Sequence, residues 1–419
     1  MDLLAMAKEQ FSYTVELRRH FHEYPESGPE EQVQTMAYIM DELKKLDIPY
    51  EQVPGGGIFA FIPGPPDGKT VLLRADMDAL PIQESETNLA GPKVCVSKIP
   101  GVMHGCGHDG HLAMLLTEAK ILKSMQKELK GSILLMFEEG EEGYGNGQNL
   151  CLYLQKHKLH ADICYASHVR WDVPAGKVAC NRGTAMSGLY HFELELFGQA
   201  GHGSRPDLAH STLDCFHEIY NALQTLRLRY VRPNASLTWS IGSIHAGERF
   251  NVVPDDLVCQ GSVRFLDKDS GMAFWAEFRR VLDSVCPLNY CSYRLRVPEF
   301  LLPTINTPAC TELFRAAAKE YLGPDSIYEC EPWMASETFS FICNMIPGVN
   351  SFTGIRNDRY GSGANHHTPE FDLAEEGLIY GIAAALGYVL NYFESPPDLS
   401  DFQPVCESME NLIAMLHNA

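Results

Sequence analysis

Residues Met103–His111, MHGCGHDGH, hold five side chains able to ligate a cation: His104, Cys106, His108, Asp109 and His111. Imidazole nitrogen and thiolate sulfur are good donors for divalent transition metals. In extended backbone alternate residues face the same way, which would turn Cys106 and His108 toward one ion. Gly105, Gly107 and Gly110 would let the chain bend tightly around it. A lone histidine is ordinarily structural, but five ligand-capable residues immediately before a helical pattern point to a metal site.

A second motif, FEEGEEG at Phe137–Gly143, follows an apolar run. Carboxylates at the carboxyl end of a strand in an α/β sheet lie in the crevice where ligands bind, and four together are costly unless cations or protons neutralise them. The motif is either a solvated acidic loop, or one Glu binds a metal while its neighbour, facing the other way, is a general base toward water. His168 follows the strand-like ADICYAS, and His366 and His367 stand in GANHHTPEFD ahead of an apolar helix. With Cys106, His108 and a Glu they supply enough N, S and O donors for a two-metal centre.

In RADMDALP, Asp78 is suited to accept a hydrogen bond from a ligand imidazole. Asp76 either does the same or caps the next segment. His202, among the glycines of GQAGHGSRPD, is a surface residue or an imidazole that stabilises a developing oxyanion. Asn251 and Arg264 are candidates for gripping a substrate carboxylate, which an arginine fork holds bidentately.

The elements that must position these groups follow from apolar periodicity. Helices are expected at Gln10–Tyr24, His111–Leu129 and Leu150–His157. Strands are expected at Ile58–Ile62, Thr70–Ala75, Ser132–Phe137 and Asp162–Ser167, the first two read as a hairpin or neighbours across PGPPDGK. This alternation predicts an α/β sheet with parallel pairs. The middle of the chain reads strand Leu189–Phe197, helix Ser211–Leu228, strands Ser236–Ile244 and Leu257–Phe265, helix Gly271–Val285 and strand Tyr290–Val297. That βαββαβ order is ferredoxin-like and predicts an inserted domain at 185–295, flanked by 1–184 and 296–419. Helices Thr307–Tyr321 and Ala374–Phe393 should rejoin the first domain.

Composition narrows the function classes. The 419 residues are 45% hydrophobic and 21% charged, as in a globular protein of two or three domains. Thirty-three Lys and Arg against 54 Asp and Glu leave a net charge of −21, which disfavours nucleic acid and anionic membrane and favours small-molecule partners. No run of ~18 apolar residues spans a bilayer, and the N-terminus lacks a signal-peptide pattern. The 13 cysteines have no CxxC pair, so a cytoplasmic chain of reduced thiols is expected.

LRRHFHEYPE, RADMDALP, GVMHGCGHDGH, FEEGEEG, GQAGHGSRPD, FNVVPDD, SETFSF and HHTPEFD occur in the order seen in the M20 metallopeptidase family. GCGHDGH resembles its amidohydrolase branch, subfamily D, which includes hippurate, indole-acetyl-amino-acid and aminobenzoyl-glutamate hydrolases and N-acetyl-diaminopimelate deacetylases. The resemblance runs from about Leu17 to Asp372. It implies a catalytic α/β sandwich of the phosphorylase/hydrolase-like, zinc-peptidase type with an inserted ferredoxin-like lid and dimerisation domain. It also implies two divalent ions held by Cys106, His108, Glu142, His168 and His367, with Cys106 shared, Glu141 as base, and His202 completing the partner's site in a homodimer or higher homo-oligomer. Manganese is the metal implied, while zinc, nickel or cobalt suit the same ligands.

The activity implied is hydrolysis of N-acyl amino acids to a carboxylic acid and a free amino acid. The rivals are a dipeptidase or carboxypeptidase-like exopeptidase on the same metals and a catalytically silent metal-binding protein. Two departures stand out: Gly140 with the extra acids Glu138 and Glu139 replaces the residues before the glutamate pair of the family's PAEEG-type sequence, and its SEDF is SETF, with Thr338 at the acidic position.

Overall fold

The computed structural model describes residues 1–28, 32–143 and 146–417. They gather into two compact units, one of Met1–Ala185, Ile305–Glu331 and Thr338–Ile413, the other built on Met186–Thr304 and Pro332–Glu337.

The first unit begins with helices α1 (Leu3–Glu9), α2 (Phe11–Glu23) and α3 (Val33–Lys45). Strands β1 (Tyr50–Val53), β2 (Gly57–Ile62) and β3 (Lys69–Asp76) come next. Helix α4 (His108–Ser124), strand β4 (Gly131–Glu138), helix α5 (Gly147–Lys156) and strands β5 (Ile163–Pro174) and β6 (Val178–Ala179) follow. The second unit contributes β7 (Gly188–Phe197), β8 (Gly201–His202), α6 (Thr212–Arg229), β9 (Leu237–Ala246) and β10 (Val252–Val253). It continues with β11 (Asp256–Phe265), α7 (Lys268–Leu288) and β12 (Ser292–Leu301). The chain returns to the first unit with α8 (Pro308–Leu322), α9 (Ser340–Cys343), β13 (Gly348–Arg356) and α10 (Glu375–Glu394).

The sheet of the first unit has the order β1-β2-β4-β3-β5-β13-β6. β3 runs parallel to β4 and β5, and β5 parallel to β13. Every residue of β4 is buried, as expected of a strand covered on both faces. For the same reason β4 stands between β2 and β3, which are therefore neither the hairpin nor the neighbouring strands that the turn sequence suggests: a strand buried at every residue takes an interior place with ladders on both edges. The parallel register sets Asp76 opposite Glu138. The loops RADMDALP and FEEGEEG thus leave the sheet side by side. Helix α10, apolar on most sides and buried over most of its length, comes so close that a Cβ at Gly381 would lie 2.4 Å from Thr353 Oγ1 and 2.6 Å from Met114 Sδ.

In the second unit β7, β9, β11 and β12 form an antiparallel sheet in the order β9-β11-β7-β12, the strand arrangement of a ferredoxin-like βαββαβ fold. Tyr190, Phe192, Leu194 and Leu196 of β7 alternate into its core. There Tyr190 stacks on Trp275 at 4.5 Å and Phe300 at 4.1 Å. Ser211 and Asp267 cap α6 and α7 by accepting from the backbone amides of Asp214 and Ser270. Among the described residues no helix is long and apolar enough to cross a membrane.

Glu118 of α4 is buried, and burial alone pushes its carboxyl up to about 8. An acid whose pKa is raised by folding contributes stability below its unfolded value that is lost as pH climbs toward the folded value. Glu118→Gln should therefore raise the melting temperature more at pH 8.5 than at pH 5, measured by calorimetry at both; an equal shift at the two pH values would contradict this.

Candidate metal centre

The motifs converge in the first unit. Helix α4 starts at His108, three residues earlier than its apolar pattern suggests, because Gly107 takes a left-handed φ of 90° at the N-cap. Cys106 and His108 are therefore not alternate residues of one extended stretch: Cys106 ends a loop and His108 opens a helix. They still meet, since Cys106 Sγ, a His108 nitrogen and a His168 nitrogen lie within 4.8 Å of one another. His168 sits inside β5 rather than at a strand end, because β5 continues to Pro174. Its Nδ1 donates to the Val169 carbonyl at 2.6 Å, leaving the Nε2 lone pair 3.5 Å from Cys106 Sγ.

A second donor set of Cys106, Glu142 and His367, also within 4.8 Å, shares the cysteine with the first. His367 has a φ of 62°, unusual for a non-glycine residue. Its amide donates to Gly105 O at 2.9 Å, tying the HHTPEFD loop to the cysteine loop, and its Nε2 lies 3.2 Å from Glu142 Oε1. Glu141 stands beside Glu142, half-buried, with one carboxylate oxygen accepting from the Thr338 amide at 2.9 Å.

Asp78 joins the two arms. Its Oδ1 accepts from His108 Nδ1 at 3.1 Å and its Oδ2 from the Glu142 amide at 2.9 Å. Asp76 does not cap the next segment: its Oδ1 accepts from His111 Nδ1 at 2.6 Å and its Oδ2 from Arg74 at 2.7 Å. Because His111 Nε2 also accepts from the Val169 amide at 2.9 Å, both ring nitrogens are engaged and His111 has no lone pair to give a metal. Asp109 turns away to Arg18 and His22, each at 2.8 Å.

The electrostatics favour a cation. Burial lowers the His108 imidazole, but Asp76, Asp78 and Glu142 outweigh it and lift it to about 10. Burial and the carboxylates of Glu142, Glu141 and Asp76 push the Cys106 thiol well above its ordinary range, so a thiolate there needs a counter-cation. Burial, helped by His111 and His366, drives His168 well below its usual value, keeping it neutral. His108 Nε2 is buried without a hydrogen-bond partner. A neutral imidazole, an unpartnered ring nitrogen, a sulfur and carboxylate oxygens make a donor set suited to divalent transition metals.

His202, Asn251 and Arg264 belong to the second unit. The β8–β10 ribbon pairs His202 with Val252, and the Gly203 amide donates to Asn251 O at 2.8 Å. His202 Nδ1 accepts from the Ser204 amide at 3.1 Å, so in the neutral ring the proton sits on Nε2. Arg264 is half-buried and donates to Met334 O and Ser336 Oγ.

Sequence reasoning missed Arg74, Gln32 and Thr338 as supports. Gln32 accepts from the Gly140 amide at 3.1 Å, and Gly140 has a φ of 67°, which accounts for a glycine ahead of the Glu pair. In the sequence Thr338 shows only as a departure from a motif.

The model of peptidase family M20/M25/M40 matches residues 72–391. The chain is 32% identical over 394 residues to IAA-amino acid hydrolase ILR1-like 4 of Arabidopsis thaliana, covering 93% of this chain and 88% of that protein. It is also 32% identical over 394 residues to thermostable carboxypeptidase 1 of Saccharolobus solfataricus, covering 92% and 97%. The crystal structure of the YXEP protein of Bacillus subtilis, a dinuclear metal-binding peptidase from the M20 family, superimposes with a TM-score of 0.76 at 26% identity, covering 92% of this chain and 99% of that one.

If Asp78 orients both His108 and Glu142, Asp78→Ala should weaken metal binding roughly 10- to 100-fold. Competition against a chelator checks this, and an unchanged affinity would contradict it.

Proposed function

The chain belongs to peptidase family M20/M25/M40, and on that premise we propose that it is a metal-dependent amidohydrolase that cleaves N-acyl amino acids to a carboxylic acid and a free amino acid. The observation that carries this reading is the pair of donor sets meeting at Cys106, with Glu141 beside them and engaged by the Thr338 amide. Cys106, His108 and His168 would hold one divalent ion, and Cys106, Glu142 and His367 a second, with manganese, zinc, nickel or cobalt all suited to the donors. When bound, such ions polarise an amide carbonyl and acidify water.

The protein's own groups do the rest. Glu141 takes the proton from water and delivers it to the leaving nitrogen. His202, its proton held on Nε2 by the amide of Ser204, donates to the developing oxyanion. Asn251 and Arg264 receive the substrate carboxylate. The first unit thus carries the chemistry, and the second acts as the lid of a homo-oligomer in which His202 serves the partner's site.

A carboxypeptidase reading has one specific support, the likeness to a thermostable carboxypeptidase over 92% of the chain. A dipeptide is itself an acylated amino acid, so the same residues serve both. Free amino acid release from N-acetyl, N-benzoyl and longer N-acyl amino acids, with dipeptides alongside, separates them: preference for acyl amino acids supports the proposal and preference for dipeptides the rival. Glu141→Ala should lower kcat about 10²- to 10⁴-fold while metal content holds; full activity in that variant would remove Glu141 from its role.

A further inference from the structure

The acidic residue at Glu138 and the loss of the family's acid at Thr338 look unrelated in the sequence, being 200 residues apart. In the first unit they touch. Thr338 Oγ1 donates to Glu138 Oε1 at 2.7 Å and accepts from Arg74 at 2.9 Å, which uses both the donor and an acceptor site of the hydroxyl. Arg74 Nε also donates to Glu138 Oε2 at 2.7 Å, and a third guanidinium contact reaches Asp76 at 2.7 Å. All three of Arg74, Glu138 and Thr338 are 5% exposed or less.

The surroundings are shaped around this arrangement. A Cβ at Gly147 would lie 2.0 Å from Glu138 Oε1, so a glycine there leaves the carboxylate its place. A buried guanidinium needs carboxylate partners, because an uncompensated buried charge is strongly destabilising. The guanidinium reaches both position 138 and position 338, so an acid at either satisfies it, whereas acids at both would crowd like charges. From the same residue the Thr338 amide holds Glu141 Oε1 at 2.9 Å.

We propose that Arg74, Glu138 and Thr338 form a buried clamp that positions Glu141, and that in this chain the acid of the clamp stands on β4 at Glu138 instead of at position 338. Glu138 and Thr338 are positioning residues acting through Glu141, so the inference rests on the reading of Glu141 as the base. The two departures compensate each other.

The test uses the full-length, metal-loaded protein with the best-cleaved member of an N-acetyl amino acid panel, and follows kcat, KM and metal content. Thr338→Val keeps shape and amide but removes the hydroxyl. Glu138→Gln keeps shape but removes charge. Each should lower kcat about 10- to 100-fold, as small misplacements of a reacting group do, with KM and metal content near wild type. Thr338→Asp alone should also lose activity, while the double variant E138Q/T338D should recover to within about 5-fold of wild type on the same scale.

On a Glu141→Ala background Thr338→Val should cause no further loss, whereas a merely structural effect would persist. Unchanged kcat in Thr338→Val and Glu138→Gln, or a double variant no better than Glu138→Gln, would overturn the clamp even with Glu141→Ala inactive. Full activity in Glu141→Ala would instead overturn the underlying assignment of the base.

Discussion

The structure of the first unit is organised by negative charge gathered at the carboxyl ends of two parallel strands. β3 ends at Asp76 and β4 at Glu138 in register, with Asp78, Glu141 and Glu142 in the loops that follow. Carboxylates brought this close out of water repel each other unless something positive stands among them. Arg74 answers part of that demand by bridging Asp76 and Glu138. The rest falls on the His108 imidazole and, in the proposed holoenzyme, on metal ions. The same parallel register that builds an apolar interior thus creates an electrostatic problem at its rim, and the chemistry occupies the place where the problem is solved.

The remaining parts of the site divide the labour of holding and orienting. Asp78 ties His108 to the backbone of Glu142, so the helix and the acidic loop cannot move independently. The His367 amide ties the C-terminal loop to Gly105. His111, although in the middle of the metal motif, spends both nitrogens on Asp76 and the Val169 amide and works as a brace between strands and helix. Such fixed supports suit a centre whose ligands must keep one geometry through a reaction.

Much of this was legible in the sequence because it is written in short-range patterns. The ferredoxin-like order of the second unit follows from strand and helix periodicity, and β7 alternates cleanly because one of its faces is buried. Cys106, His108, Glu142, His168 and His367 stand out by chemical type. What escaped depends on the third dimension. The place of β4 between β2 and β3 is set by burial on both faces, which no turn sequence reports. Helix α1 is only two turns long, too short for its periodicity to stand out, whereas α3 is as long as α2 and its amphipathic pattern was there to be read. The start of α4 at His108 was hidden because its first turn is a glycine-rich motif, and only a left-handed Gly107 lets the helix begin there. Arg74 and Thr338 are ordinary residues until their partners, distant in sequence, are brought beside them.

The proposed chemistry requires that the two donor sets meeting at Cys106 hold two divalent ions. Metal content per chain, measured by inductively coupled plasma mass spectrometry on protein stripped and then resupplied with Mn²⁺ or Zn²⁺, tests it most directly. Two ions per chain are expected in the native protein, with a clear loss in Cys106→Ser, since that sulfur belongs to both sets. A native protein that binds no metal, or a Cys106→Ser variant that keeps both ions at undiminished affinity, would contradict it.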